Sequence, residues 1–185
     1  MTEEQDFEKF KSIPRYNREV CITEKIDGTN AQVFVYEEGD HRRCRAGSRN
    51  RWITPDDDNY GFAKWVADNE EELTHLGIGR HYGEWWGSGI QRRYGLEEKR
   101  FSLFNTHLWS DEKDNRPGCC HVVPVLRYAK LGEAELVADV LNELQEQGSW
   151  AAPGFDNPEG VVIYHMASGQ YFKQTLGKEE QGGKS

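Results

Sequence analysis

No stretch of this sequence approaches the roughly 18 consecutive apolar residues of a membrane-spanning helix. Its start, MTEEQDFEKF, has neither the basic flank nor the apolar run of a secretory signal. A soluble, cytoplasmic protein is the expectation. Cysteine is scarce, with four residues and no C-x-x-C spacing. The pair Cys119-Cys120 beside His121 has no second cluster to complete a zinc site, so reduced thiols are expected. The Walker G-x-x-x-x-G-K, the dinucleotide G-x-G-x-x-G, the G-x-S-x-G of acyl transfer and H-E-x-x-H are all missing. Positive charge is also in deficit, with 23 Lys and Arg against 32 Asp and Glu and a net charge of −9. That balance argues against strong non-specific nucleic-acid binding.

What is present is a chain of 185 residues, long enough for one well-filled core, with six Trp, eight Tyr and eight Phe to build it. Apolar alternation or short apolar runs between turn residues predict strands near 19–26, 31–37, 42–48, 81–86, 101–109, 121–127, 160–166 and 170–175. Two segments carry a helical stripe. One is 61–73, with Phe62, Trp65, Val66 and Asn69 on one side; the other is 133–148, stopped by Gly148. Residues 111–118 read as a polar loop, and 179–185 as a frayed tail. The pattern is α+β, built on antiparallel sheets flanked by helices. The positive charge that exists is clustered. HRRCRAGSRNR (41–51) holds five arginines and no acid, and QRRYGLEEKR (91–100) adds Arg92 and Arg93. Alternation along a strand would turn half of the first group to one side, as a local phosphate-binding surface.

One run stands out: TEKIDGTN, residues 23–30, directly after the apolar VCI. Asp27-Gly28 alone is a common turn dipeptide. In order behind it come GSRNRWI with Arg49, YGEWWG with Glu84, RFSLFNT with Phe101 and Phe104, PEGVVIYH with Glu159, and YFKQTL with Lys173. Together these resemble the motifs of the covalent nucleotidyltransferases, the polynucleotide ligases and mRNA capping enzymes. EKIDGTN is most similar to the RNA ligase branch, and GEWWGSGIQRRYG and KRFSLFN to compact ligase-like proteins of phages and bacteria. The resemblance runs from about 20 to 176.

It implies a ligase-type nucleotidyltransferase domain over 1–178 with the nucleotide pocket between its sheets, a tail at 179–185, and no OB-fold domain. It further implies an ATP-dependent RNA ligase using Mg²⁺ or Mn²⁺ on RNA with 5′-phosphate and 3′-hydroxyl ends. By resemblance Lys25 is the nucleophile that carries AMP. An alkyl amine has a solution pKa of about 10.4, and a nearby cation makes its neutral, attacking form easier to reach. Lys173 and a bound metal are cast in that role. Glu84 and Glu159 would orient the metal, since carboxylates suit a hard cation. Glu24 falls where the family contacts the adenine edge, Arg49 where it contacts ribose and phosphate, and Asn30 where it orients the metal's waters. Phe104 is assigned to stack on the base, with Phe101 as the alternative. Arg92 and Arg93 are assigned to nucleic acid.

Two departures bear on this. The stacking motif often continues Phe-Asp and here reads Phe104-Asn105. The last motif often reads K-x-K and here reads Lys173-Gln174-Thr175, so one phosphate-neutralising charge is missing. A minimal DNA ligase or a guanylyltransferase of the same fold is an alternative, as is a non-catalytic RNA-end-binding protein. Cytoplasm is the expected location, a host's if the chain is phage-encoded, and sealing leaves room for a partner protein.

Overall fold

The computed structural model describes residues 8–110 and 116–177. Residues 111–115, part of the expected loop, and the 179–185 tail lie outside the described residues. In chain order the elements are β1 (Glu19–Lys25), β2 (Thr29–Glu38), β3 (His41–Ser48), α1 (Phe62–Asp68), α2 (Glu70–Leu73), a 3₁₀ turn (Thr74–Leu76), β4 (Gly79–Gly87) and β5 (Lys99–Leu103). There follow β6 (Cys120–Val122), β7 (Val125–Lys130), α3 (Leu136–Gln147), β8 (Gly160–His165) and β9 (Gln170–Thr175). They build two sheets, ordered β7-β1-β8-β9 and β3-β2-β4-β5-β6. Every pairing is antiparallel except β5 with β6, which is parallel. The fold is α+β, as expected, with that one parallel pair as a correction.

Strand alternation decides which face each sheet buries. In β2, Ala31, Val33 and Val35 are buried while Asn30, Gln32, Phe34 and Tyr36 take the other face. The buried side joins Ala46, Trp85, Phe101 and Leu103 to Phe62, Val66 and Leu73 of the short helices. On the first sheet Val20, Ile22, Val161 and Ile163 receive the stripe Leu136, Val140, Leu141 and Leu144 of α3. Each such side chain contributes about 1.5–3 kcal/mol when removed from water. A third cluster, Ile26, Trp86, Tyr94, Val123 and Ala152, forms where the chain passes from one sheet to the other. No helix among the described residues is long and apolar enough to cross a membrane.

Three expected elements end early or divide. The 101–109 strand stops at Leu103 because Asn105 builds a turn: its side-chain oxygen accepts from the Leu108 N–H at 3.0 Å and its carbonyl from the Trp109 N–H at 3.0 Å. The 121–127 strand divides at Val123-Pro124. Val123 still donates to Leu103 O in the second sheet, whereas Pro124 O accepts from the Glu24 N–H in the first. Proline has no N–H for a ladder, so the crossing falls there. The 61–73 helix breaks at Asn69, whose side chain donates to Trp65 O at 2.8 Å. The second helix starts late instead, at Leu136 rather than 133, after Glu135 in the left-handed region at φ 63°.

Candidate active site

The run TEKIDGTN is the link between the sheets. Lys25 ends β1 in the first sheet, and Thr29 begins β2 in the second. Gly28 makes that crossing possible: a Cβ there would lie 2.4 Å from Trp85 O and 2.7 Å from Trp86 Cβ. Its N–H donates to Glu84 Oε1 at 3.1 Å, and Asn30 Nδ2 donates to Glu84 Oε2 at 3.0 Å. Asn30 and Glu84 are cross-strand neighbours in β2 and β4, so the turn and the ladder fix the same carboxylate.

Lys25 pairs with Gly160 of β8, which places the preceding Glu159 beside it. Lys25 Nζ donates to Glu159 Oε2 at 2.6 Å, with both side chains largely shielded. Burial pushes the Glu84 carboxyl up to about 7. The Asn30 hydrogen bond, the Lys25 charge and the Gly28 N–H oppose that shift, and the Glu159 charge adds to it. An amine and two carboxylates therefore share one electrostatic neighbourhood.

Lys173 and Thr175 face the same side of the first sheet as Lys25. The register runs Lys25–Gly160–Thr175 and, two residues along, Thr23–Val162–Lys173. Lys173 thus starts roughly 12 Å from Lys25 at the backbone, within reach for two long side chains on one face. Thr175, where the second lysine of K-x-K would stand, lies directly in the cross-strand row of Lys25.

Phe104 is half-buried against the inter-sheet cluster with Ile26 and Trp86. Phe101 is fully buried against Phe62 and Trp65 on the helix-covered face, so its ring cannot reach a base between the sheets. That removes the alternative stacking assignment. Glu24, 1 % exposed, shares the α3 face with Ile22. Its carboxylate accepts from Ser149 Oγ at 2.6 Å and from the Trp150 and Ala151 N–H groups at 2.8 Å. Burial raises its pKa, and those three hydrogen bonds oppose the rise. Arg49 is exposed just past β3, with no side-chain partner among the described residues.

Arg92 needs correction. Its Nε donates to Asp27 Oδ2 at 2.9 Å, and one terminal nitrogen donates to Asn157 O at 3.0 Å and Pro158 O at 3.2 Å. These converging acceptors engage the half-buried guanidinium within the chain, where it ties the turn after Lys25 to the segment before Glu159. Arg93 is exposed and remains available. Tyr94 was missed altogether. It is 3 % exposed, accepts the Asp27 N–H at 2.7 Å, and packs edge-on against Trp86. Sequence spacing draws attention to the arginines of that loop, and no pattern marks the tyrosine that follows them. Ser149 gives no signal either, beyond following a helix stop.

Among the described residues no group of three or more His, Cys, Asp or Glu could hold a metal by itself. Glu84 and Glu159 nevertheless fit a hard divalent cation. Such ions are held by one or two carboxylates together with substrate phosphates and water, and each carboxylate oxygen keeps a further lone pair beside its hydrogen bond.

Structural comparison finds the same fold in Naegleria gruberi RNA ligase. A mutant solved with ATP and Mn matches with a TM-score of 0.62 and 21% identity, covering 86% of this chain and 50% of that one. A mutant with AMP and Mn gives the same four values. The protein with PPi matches with a TM-score of 0.60 and 22% identity over 86% and 50%. This chain therefore spans about half the length of those proteins. No curated protein matches it. The RNA ligase family matches residues 18–176, which takes in every element from β1 to β9, and the chain belongs to that family.

Proposed function

We propose that this chain is an ATP-dependent RNA ligase, with residues 1–178 as its adenylyltransferase domain and Lys25 as the residue that carries AMP. The observation that supports it most is the Lys25 amine held 2.6 Å from Glu159 at the crossing between two sheets, with Glu84 fixed beside them.

In the first step the Lys25 Nζ lone pair attacks the α-phosphorus of ATP. A nitrogen–phosphorus bond forms, the bond to the bridging oxygen breaks, and pyrophosphate leaves with that electron pair. Glu159 Oε2, already the hydrogen-bond acceptor, takes the amine's surplus proton. In the second step an oxygen of an RNA 5′-phosphate attacks the same phosphorus, the nitrogen–phosphorus bond breaks, and Nζ recovers a proton. In the third an RNA 3′-hydroxyl oxygen bonds to the adenylated 5′-phosphorus, the bond from that phosphorus to the AMP oxygen breaks, AMP leaves with the electron pair, and the hydroxyl proton passes to solvent.

Glu84 and Glu159 would hold Mg²⁺ or Mn²⁺, which when bound neutralises charge building on the phosphate oxygens. Asn30 keeps the Glu84 carboxylate aimed. Phe104 offers its half-buried ring to the base. Arg49, exposed and unpaired, suits the ribose and phosphate end, and Lys173 adds positive charge on the nucleophile's face. Glu24 acts on the pocket by fixing the 149–151 segment rather than through a free carboxylate.

Intact-mass analysis after incubation with ATP or GTP and a divalent cation tests the reading. One adenylate added from ATP supports it, a guanylate from GTP favours a guanylyltransferase, and no adduct leaves an RNA-end-binding protein. Joining of matched nicked RNA and DNA then separates RNA ligase from DNA ligase.

A further inference from the structure

The inner face of the second sheet does not end at Glu84. Two-residue steps along β4 lead from Glu84 to Tyr82 and Arg80, and along β2 from Asn30 to Gln32, Phe34 and Tyr36. On β3, Arg45 lies opposite Phe34. Around Phe34 these side chains interleave. The Arg45 guanidinium lies 4.3 Å from the Trp52 ring, and that of Arg80 lies 4.7 Å from Phe34 and 5.2 Å from Trp52. Phe34 stacks on Tyr36 at 5.6 Å. Helices cover the opposite face of this sheet, yet here Tyr82 is 53% exposed, and Arg45 and Arg80 are exposed too.

The charges mark this surface as more than uncovered packing. Arg43 and Arg51, neighbours in the same basic run, are paired with Glu70 and Asp57. Arg45 and Arg80 have no carboxylate partner among the described residues, in a protein of net charge −9. Arg80 donates to Gln32 at 3.1 Å, and both guanidinium groups lie over aromatic rings. Unpaired guanidinium groups among flat rings match a strand that offers phosphates and base faces together. Four residues of β2 separate Phe34 from Asn30, about 13 Å, or about four nucleotides at a stacked rise of ~3.4 Å.

We propose that the Phe34, Tyr36, Trp52, Arg45 and Arg80 surface is a stacking platform for single-stranded RNA, continuous with the active site and holding the nucleotides next to the reacting end. The identity of this occupant rests on the ligase reading; the platform itself rests on the charge and the geometry. Stacking needs unpaired bases, so the platform selects a single strand over a blunt duplex.

The test is fluorescence anisotropy with a short labelled single-stranded RNA and the same strand in a blunt duplex, over a series of salt concentrations. Trp52→Ala is expected to weaken single-strand binding about 5- to 100-fold, and Trp52→Phe to restore most of it. Arg45→Gln and Arg80→Gln should each lower the slope of log affinity against log salt by about 0.7. Should Trp52→Ala fail to fold by thermal melting, the exposed Arg80→Gln carries the test through that slope. Unchanged affinity in a folded Trp52→Ala overturns the platform and gives the face to a protein partner. So does equal binding of the duplex, or no single-strand binding by the wild type. Trp52-dependent binding by a wild type that forms no AMP adduct would sink the ligase reading and leave the platform standing. An adduct with Trp52-independent binding would do the reverse.

Discussion

At the residue scale, Glu84 is a buried carboxylate whose charge state changes near neutral pH. Its carboxyl is raised from 4.5 to about 7, chiefly by burial. Between those values the folded state holds more protons than the unfolded state. Stability therefore falls as pH rises from about 4.5 to about 7, by on the order of 3 kcal/mol. Glu84→Gln is expected to flatten that decline in Tm measured without divalent cations, and parallel profiles for wild type and variant would refute it. A bound cation favours the ionised carboxylate, so Mn²⁺ should stabilise the wild type more at pH 8 than at pH 6. Thr175 supplies a second test. It lies in the cross-strand row of Gly160 and Lys25, and Gly160 has no side chain to obstruct that row. A Cβ at Gly160 would meet Gln174 O at 2.2 Å, so this opening is built in. Thr175→Lys should bring a cation to the phosphate and speed joining of a preformed 5′-adenylate about tenfold in single turnover, the value of one charge-assisted contact. No acceleration would show that the native threonine does not limit the later steps, which are expected to lag behind self-adenylation.

At the scale of elements, the 88–98 loop holds the site together. It uses residues in the left-handed region, Gln91 at φ 43°, Arg93 at 60° and Tyr94 at 51°, each costing about 1–2 kcal/mol. Burial of Tyr94 against Trp86 and Phe155 offsets that strain and leaves Arg92 aimed at Asp27 and Asn157. Arg92 is a positioning residue. Arg92→Ala should slow adenylation at saturating ATP about 10- to 100-fold with a smaller change in KM, and Arg92→Lys should not rescue it, because an ammonium cannot span both segments as the fork does. A pure rise in KM would instead make Arg92 a ligand for ATP. This loop also shows where sequence reading stops. Periodicity sufficed for β2 and α3, whose apolar stripes are local. It overran at Leu103, where Asn105 turns the chain through its own side chain, and at Pro124, where one apolar run serves two sheets. For the site, TEKIDGTN, Glu84 and Glu159 stood out in the sequence because each belongs to or adjoins a strand whose apolar pattern is local. The internal use of Arg92 and Glu24 was not, since a charged residue's partner lies 65 residues away for Asp27 and 125 for Ser149.

For the whole molecule, the arrangement that matters is two sheets joined at their inner faces by TEKIDGTN. One carries Lys25, Lys173 and Thr175; the other carries Asn30 and Glu84 and continues into the arginine–aromatic surface. Neither sheet alone assembles the amine with both carboxylates, so nucleotide chemistry should be lost with the tertiary structure rather than degraded in parts. The chemistry proposed for this site requires that the Lys25 amine itself bond to AMP. The most direct measurement is intact mass followed by peptide mapping after incubation with ATP and Mn²⁺, for wild type and Lys25→Ala checked by thermal melting. The wild type is expected to gain one adenylate, mapped to the peptide containing Lys25 and removed by added pyrophosphate, while Lys25→Ala folds and gains none. An adduct of the same size on folded Lys25→Ala, or one mapped to another residue in the wild type, would contradict the account.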